Sequence, residues 1–174
     1  EITTQEGRDD TSRTTFDAQH VRFRPNKRFH ALFGNLESND ELGIDLRVLL
    51  GAGYGTMPIR TQRSRLSIGA GLAVNHELPV DGEDETNLEG VGLFTYDYFR
   101  YSDPERSWTT NLWLFPSLTE WGRWRVNFTT DFRLELVSDF FWKLGLYASY
   151  DNDPISIDAA SSDYGISSSL GYSF

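Results

Sequence analysis

Arg125, Asp131, Arg133 and Glu135 recur with one parity along the stretch RWRVNFTTDFRLEL (123–136), and Asp45, Arg47 and Lys143 repeat that habit in two others. Charges two residues apart share one face of a strand. In the interior of a small barrel such a set has two uses. It can form a network that sets selectivity or gating, or it can fill the space with ion pairs. The second is favoured, because small barrels are filled by their own side chains. Other chemistries find little support. Cysteine is absent, which removes thiolate nucleophiles and disulfides. His20, His30 and His76 are isolated, without metal-ligand spacing. His76, in NHE, is a conceivable base for an outer-membrane lipid hydrolase, but no serine partner is identifiable from spacing. No catalytic, cofactor-binding or metal-ligating residue is assigned, and no cofactor is expected. The acidic run DGEDE (81–85) could gather divalent cations against lipopolysaccharide phosphates, yet it lacks a calcium-loop pattern and reads better as a solvated loop. The net charge of −10 argues against a nucleic-acid partner.

The elements that carry these residues have period two almost throughout. In 123–136, Trp124, Val126, Phe128, Thr130, Phe132, Leu134 and Leu136 oppose the charged set. In 164–174, Tyr164, Ile166, Leu170, Tyr172 and Phe174 alternate with glycine and serine. Segments 43–55 and 65–76 alternate as clearly, and 28–37, 87–101, 106–117 and 140–150 less so. Segment 13–24 slips around Gln19 to Val21. The count is about nine strands in a single domain, 1–174, with no helix of normal length and no run long enough for a membrane-crossing helix.

A soluble sandwich or lipocalin-like barrel could show the same alternation. Two features favour an up-and-down transmembrane β-barrel. The polar faces carry opposite charges, and the segments run to about eleven to fourteen residues, the length of a tilted bilayer crossing with its ends. Counting back from Phe174, with the C-terminus inside and the short turns periplasmic, assigns 25–27, 56–63, 102–106 and 137–139 to the periplasm and 38–42, 77–86, 118–122 and 151–162 to the outside. The basic residues Arg24, Lys27, Arg28, Arg60, Arg63, Arg65, Arg100 and Arg106 then fall at inner ends. Asp40, Glu41, Asp81, Glu83, Asp84, Glu85, Asp151, Asp153 and Asp158 fall in outer loops. Tyr54, Tyr96, Tyr98, Trp108, Trp142 and Tyr172 would form an inner girdle, and Trp121, Trp124, Tyr147, Tyr150 and Tyr164 an outer one. Because single-chain bacterial barrels have even strand counts, nine strands imply one or three more upstream, for a total of ten or twelve. Residues 1–12 would then be a loop remnant.

The stretches LGIDLRVLLGAGYGTMPIRTQRSRLSIGAGL (42–72), YDYFRYSDPERSWTTNL, YASYDNDP and DYGISSSLGYSF resemble the salt-induced outer-membrane proteins, a family defined as a domain of unknown function. The resemblance covers about residues 27–174 and the family's C-terminal portion. It implies a β-barrel in the bacterial outer membrane and brings no catalytic residues. The last strand also resembles the signal read by barrel-assembly machinery, through Tyr164, Ile166, Leu170, Tyr172 and Phe174, with Ser168 as its weak member. The expectation is an integral outer-membrane protein with a structural, envelope-maintaining role or a narrow, porin-like pore. Its partners would be membrane lipid, lipopolysaccharide, the assembly machinery and other envelope proteins. The alternatives are a small-solute channel, a scaffold in a larger envelope complex, and the lipid hydrolase.

Overall fold

A computed structural model describes residues 2–3, 11–40, 42–80, 83–102, 104–137, 139–154 and 160–172. Its strands are β1 (Ile2–Thr3), β2 (Thr11–Arg24), β3 (Arg28–Asn39), β4 (Ile44–Arg60), β5 (Ser64–Pro79), β6 (Glu85–Arg100), β7 (Arg106–Pro116), β8 (Trp124–Val137), β9 (Phe140–Asp151) and β10 (Ser162–Tyr172). They lie in one antiparallel sheet in sequence order. The nine long strands are the nine read from the alternation. Residues 2–3 depart from the expected loop by pairing with Thr11 and Ser12 of β2.

The sheet curls. Arg13 on β2 reaches Asp163 on β10 at 3.0 Å, and Arg47 on β4 reaches Asp151 on β9 at 3.7 Å. Side chains of strands so far apart in the ladder meet only if their shared face is concave. The result is a partial barrel; among the described residues no backbone ladder joins β10 to β2.

The convex face carries the apolar parity of β4–β10, and β2 and β3 add His20, Arg22, Arg28 and His30 to it beside Phe16, Leu32 and Leu36. Leu32, Leu50, Leu72, Val74, Ile166 and Leu170 are all more than half exposed there, while Glu37, Arg47, Glu77, Glu89 and Arg125 on the concave face are almost fully buried. This inverts the arrangement of a water-soluble domain. On the convex side the indole N–H of Trp108 donates to Thr130, and that of Trp142 to Ser168, each at 2.8 Å. Ser168, the weak member of the terminal pattern, therefore satisfies a tryptophan.

The β2–β3, β4–β5, β6–β7 and β8–β9 junctions lie at one end of the sheet, and the β3–β4, β5–β6, β7–β8 and β9–β10 junctions at the other. The basic strand ends gather with the first set and the acidic loop residues with the second. Glu41, Asp81, Asp158 and Phe174 lie outside the described residues. Asn26 and Lys27, at φ of 61° and 59°, reverse the β2–β3 hairpin through successive left-handed residues. β4 runs on to Arg60, past Pro58, by a register shift between Thr56 and Ile59, where the sequence suggested a turn from 56.

Tyr147 was expected in the outer girdle, but it lies on the concave face, where its hydroxyl donates to Asp163 at 3.3 Å. Segment 140–150 is apolar on both faces at its start (Phe140, Phe141, Trp142), so the pattern alone did not fix its parity. The concave aromatics lie over cross-strand glycines. Tyr147 opposes Gly165, and a Cβ at that glycine would overlap the tyrosine ring. Phe29 covers Gly55 and Phe33 covers Gly51 in the same way.

Candidate functional site: a charged ring above a lumenal cavity

The concave face is built in tiers. Beneath the long loops, guanidinium and carboxylate groups alternate in a circuit. Asp163 (β10) accepts from Arg13 (β2) at 3.0 Å, and Arg13 donates to Glu37 (β3) at 3.2 Å. Glu37 accepts from Arg47 (β4) at 3.1 Å, which donates to Glu77 (β5) at 2.8 Å. Glu77 and Asp151 (β9) each accept from Arg123 at 2.9 Å. Arg125 (β8) binds Glu89 (β6) through both carboxylate oxygens, at 2.9 and 2.7 Å. The circuit thus crosses the seam between β2 and β10 that the backbone leaves unladdered.

Physical chemistry requires this pairing. Apart from Arg13, which is partly exposed, each of these charges is buried, and an isolated charge in such surroundings costs several kcal/mol. Arg123 comes from the 117–123 connection, so its guanidinium pins that loop into the mouth. It also donates to Glu120 at 3.1 Å and Glu85 at 3.4 Å. Burial opposes the Arg123 charge, but the hydrogen bonds and charges of Asp151 and Glu77 outweigh it and hold its proton more tightly than usual. Asn75 donates to Glu77 and Glu89, and its own Oδ1 is left without a partner. The two carboxylates dictate which way the amide turns. At the rim, the Ser12 hydroxyl and backbone N–H both donate to Asp40 and lower its carboxyl pKa.

Below the ring the wall divides. On the β3–β7 side Leu49, Ala73, Val91 and Phe115 pack together, and Phe29, Ala31 and Met57 form a second cluster, with Phe33 touching both. Between these clusters and the β8–β9 wall lies a cavity of about 620 Å³. Farther from the ring the lining is polar and wetter: Lys143 pairs with Asp131 at 3.1 Å with both side chains half exposed.

The seven charged residues read from the sequence thus separate. Arg47 and Arg125 enter the ring. Asp131 and Lys143 form their own pair. Arg133 is exposed and sits 3.9 Å from the centre of the Phe141 ring. Glu135 accepts from the backbone N–H groups of Glu105 and Asp139, capping two short connections. Asp45 was expected in the lumen, but it is the extra residue of a bulge between Ile44 and Leu46 and is exposed. The ring's other members were not singled out. Glu77 and Asp151 fall in stretches that the sequence reads as loops, Arg123 opens the 123–136 segment, which the structure starts as a strand only at Trp124, and Arg13 and Glu37 sit in segments of less decisive alternation. Their common signal is a charge of inward parity within a few residues of a strand's long-loop end. His76 lies on the convex side, its Nδ1 2.8 Å from the Thr86 hydroxyl. Among the described residues it makes no hydrogen bond to a serine or a carboxylate.

A meandering antiparallel sheet with an apolar exterior and a charged interior defines a β-barrel-like protein. The family model described as protein of unknown function, DUF481, matches residues 1–174. The chain belongs to that family, and the match starts upstream of the 27–174 segment on which the resemblance rested. No curated protein and no solved structure matches the chain.

Proposed function

We propose that this chain is an integral barrel of the bacterial outer membrane whose lumen is closed at the long-loop end by the ion-pair ring, and that its role is structural and envelope-maintaining. One observation carries this reading: the exposed convex face is apolar while the enclosed face holds the charges. Such a surface is stable against hydrocarbon and unstable against water. With the short connections inward, the Trp108 and Trp142 rings would sit at the inner headgroup level and Trp124 and Tyr150, in contact at 5.0 Å, at the outer one. Lipid and lipopolysaccharide are the expected surroundings. The assembly machinery would read β10 through its outward Tyr164, Ile166, Leu170 and Tyr172, with Phe174 completing the pattern.

Reconstitution into planar bilayers tests the closed lumen. The reading expects the wild-type chain to insert with little steady conductance, and Arg123→Ala, which unpins the 117–123 connection, to conduct more. Porin-like steps of wild type would replace the structural role with a channel. The cavity and the hydrated Asp131–Lys143 region favour that small-solute channel as the second reading.

A further inference from the structure

The 620 Å³ cavity beneath the ring falls within the size range of small-molecule sites, about 300–1,000 Å³. Its lining combines two chemistries. Trp113, only partly buried, offers aromatic surface, while the Tyr147 ring packs on Gly165 and carries the Arg13 guanidinium 5.1 Å from its centre. Phe33, with its centroid 5.5 Å from that of Trp113, backs the indole and fixes its plane. Around these rings stand neutral hydrogen-bonding groups. Thr15 and Gln19 form no side-chain hydrogen bond among the described residues. Asn127 uses its Oδ1 to accept from Ser149 at 2.9 Å and keeps its amide N–H groups unspent. Of the charged groups on the lining, Arg125 is held by Glu89 and Arg13 by Glu37 and Asp163, while the exposed Asp17 accepts from the Asn35 amide at 2.9 Å.

Those commitments discriminate among ligand classes. An anion would have to take a guanidinium away from a buried carboxylate, leaving an unpaired buried charge, and it would face the Asp17 carboxylate on the same wall. A purely apolar ligand would cover Gln19 and Asn127 without satisfying them, which costs more than the contact gains. A neutral polyhydroxylated molecule suits both parts of the wall. Its C–H face lies on Trp113, and its hydroxyls donate to and accept from the amides and hydroxyls. Entry is available from the end away from the ring, where Thr129, Lys143 and Ser167 are exposed on the concave face.

We infer that this cavity is a binding site for a neutral sugar of one or two rings, with Trp113 as stacking platform and Gln19 and Asn127 as hydroxyl partners. The inference depends on the concave face alone and stands apart from the membrane reading. The test is calorimetric titration of the full chain, refolded in a zwitterionic amine-oxide detergent that has no sugar headgroup, with glucose, maltose, glucuronate and decanoate. Saturable binding of maltose or glucose is expected, with glucuronate and decanoate at least tenfold weaker. Trp113→Ala should weaken sugar binding about tenfold. Gln19→Leu, at an exposed position where folding is not at stake, should weaken it about fivefold. No saturable heat with either neutral sugar overturns the proposal. So does binding of glucuronate or decanoate as tight as that of maltose, or sugar affinity unchanged in Gln19→Leu.

Discussion

Arg47 and Lys143 are both cations facing the lumen, and their surroundings give them different energetic weight. Arg47 is 4% exposed and donates to Glu37 and Glu77. Arg47→Leu strands two buried carboxylates and should cost about 3–5 kcal/mol. Lys143 is half exposed beside Asp131, so Lys143→Ala should cost no more than about 1 kcal/mol. Urea unfolding of the refolded chain in detergent measures both. At Gly165 the missing side chain is the requirement, because the Tyr147 ring occupies the place of a Cβ. Gly165→Val should destabilise by about 1–3 kcal/mol, and Tyr147→Ala in the same chain should recover part of the loss. Asp40 supplies a titration test. Its pKa is lowered by the Ser12 hydrogen bonds, so its contribution to stability is complete above the ordinary carboxylate range, about 3.9. That contribution fades as pH falls through the lowered folded value. In Ser12→Ala the carboxyl should titrate closer to the ordinary range, as a carboxyl-carbon NMR titration would record. An unchanged midpoint would remove the hydroxyl from the explanation.

At the scale of elements, the sequence was most legible where one face of a strand is wholly apolar. β8 and β10 declare their parity along most of their length, Thr129–Thr130 and Ser167–Ser169 apart, and the structure places those parities on the convex and concave faces accordingly. Legibility fell where both faces are apolar, as at the start of β9, and where a bulge changes the parity, as at Asp45. It fell furthest for the ring. Arg13 and Asp163 lie 150 residues apart in the chain, and no local period reports a contact made through sheet curvature. Only the inward parity of each charge could be read, and the pairing had to wait for the fold. The same alternation supports a prediction about β5. Leu72 lies mid-strand and is 54% exposed on the convex side. Leu72→Arg should therefore cost about 2–4 kcal/mol when the chain is folded in a bilayer, and far less if that face met water. Unfolding in lipid vesicles distinguishes the two.

On the scale of the whole molecule, two opposite demands act on one sheet. The convex face sheds water, whereas the concave face holds charges that cannot be left unpaired. The ring answers the second demand and also ties β10 to β2 through Arg13. What surrounds the convex face decides the account. The absence of cysteine allows single nitroxide labels at Ile166→Cys, Ser167→Cys, Ser169→Cys and Leu170→Cys, all exposed positions of β10. In chain reconstituted into vesicles, the labels at 166 and 170 should be relaxed strongly by oxygen, which partitions into hydrocarbon, and those at 167 and 169 by a water-soluble nickel chelate. Strong relaxation by nickel at 166 and 170, equal to that at 167 and 169, would contradict the account.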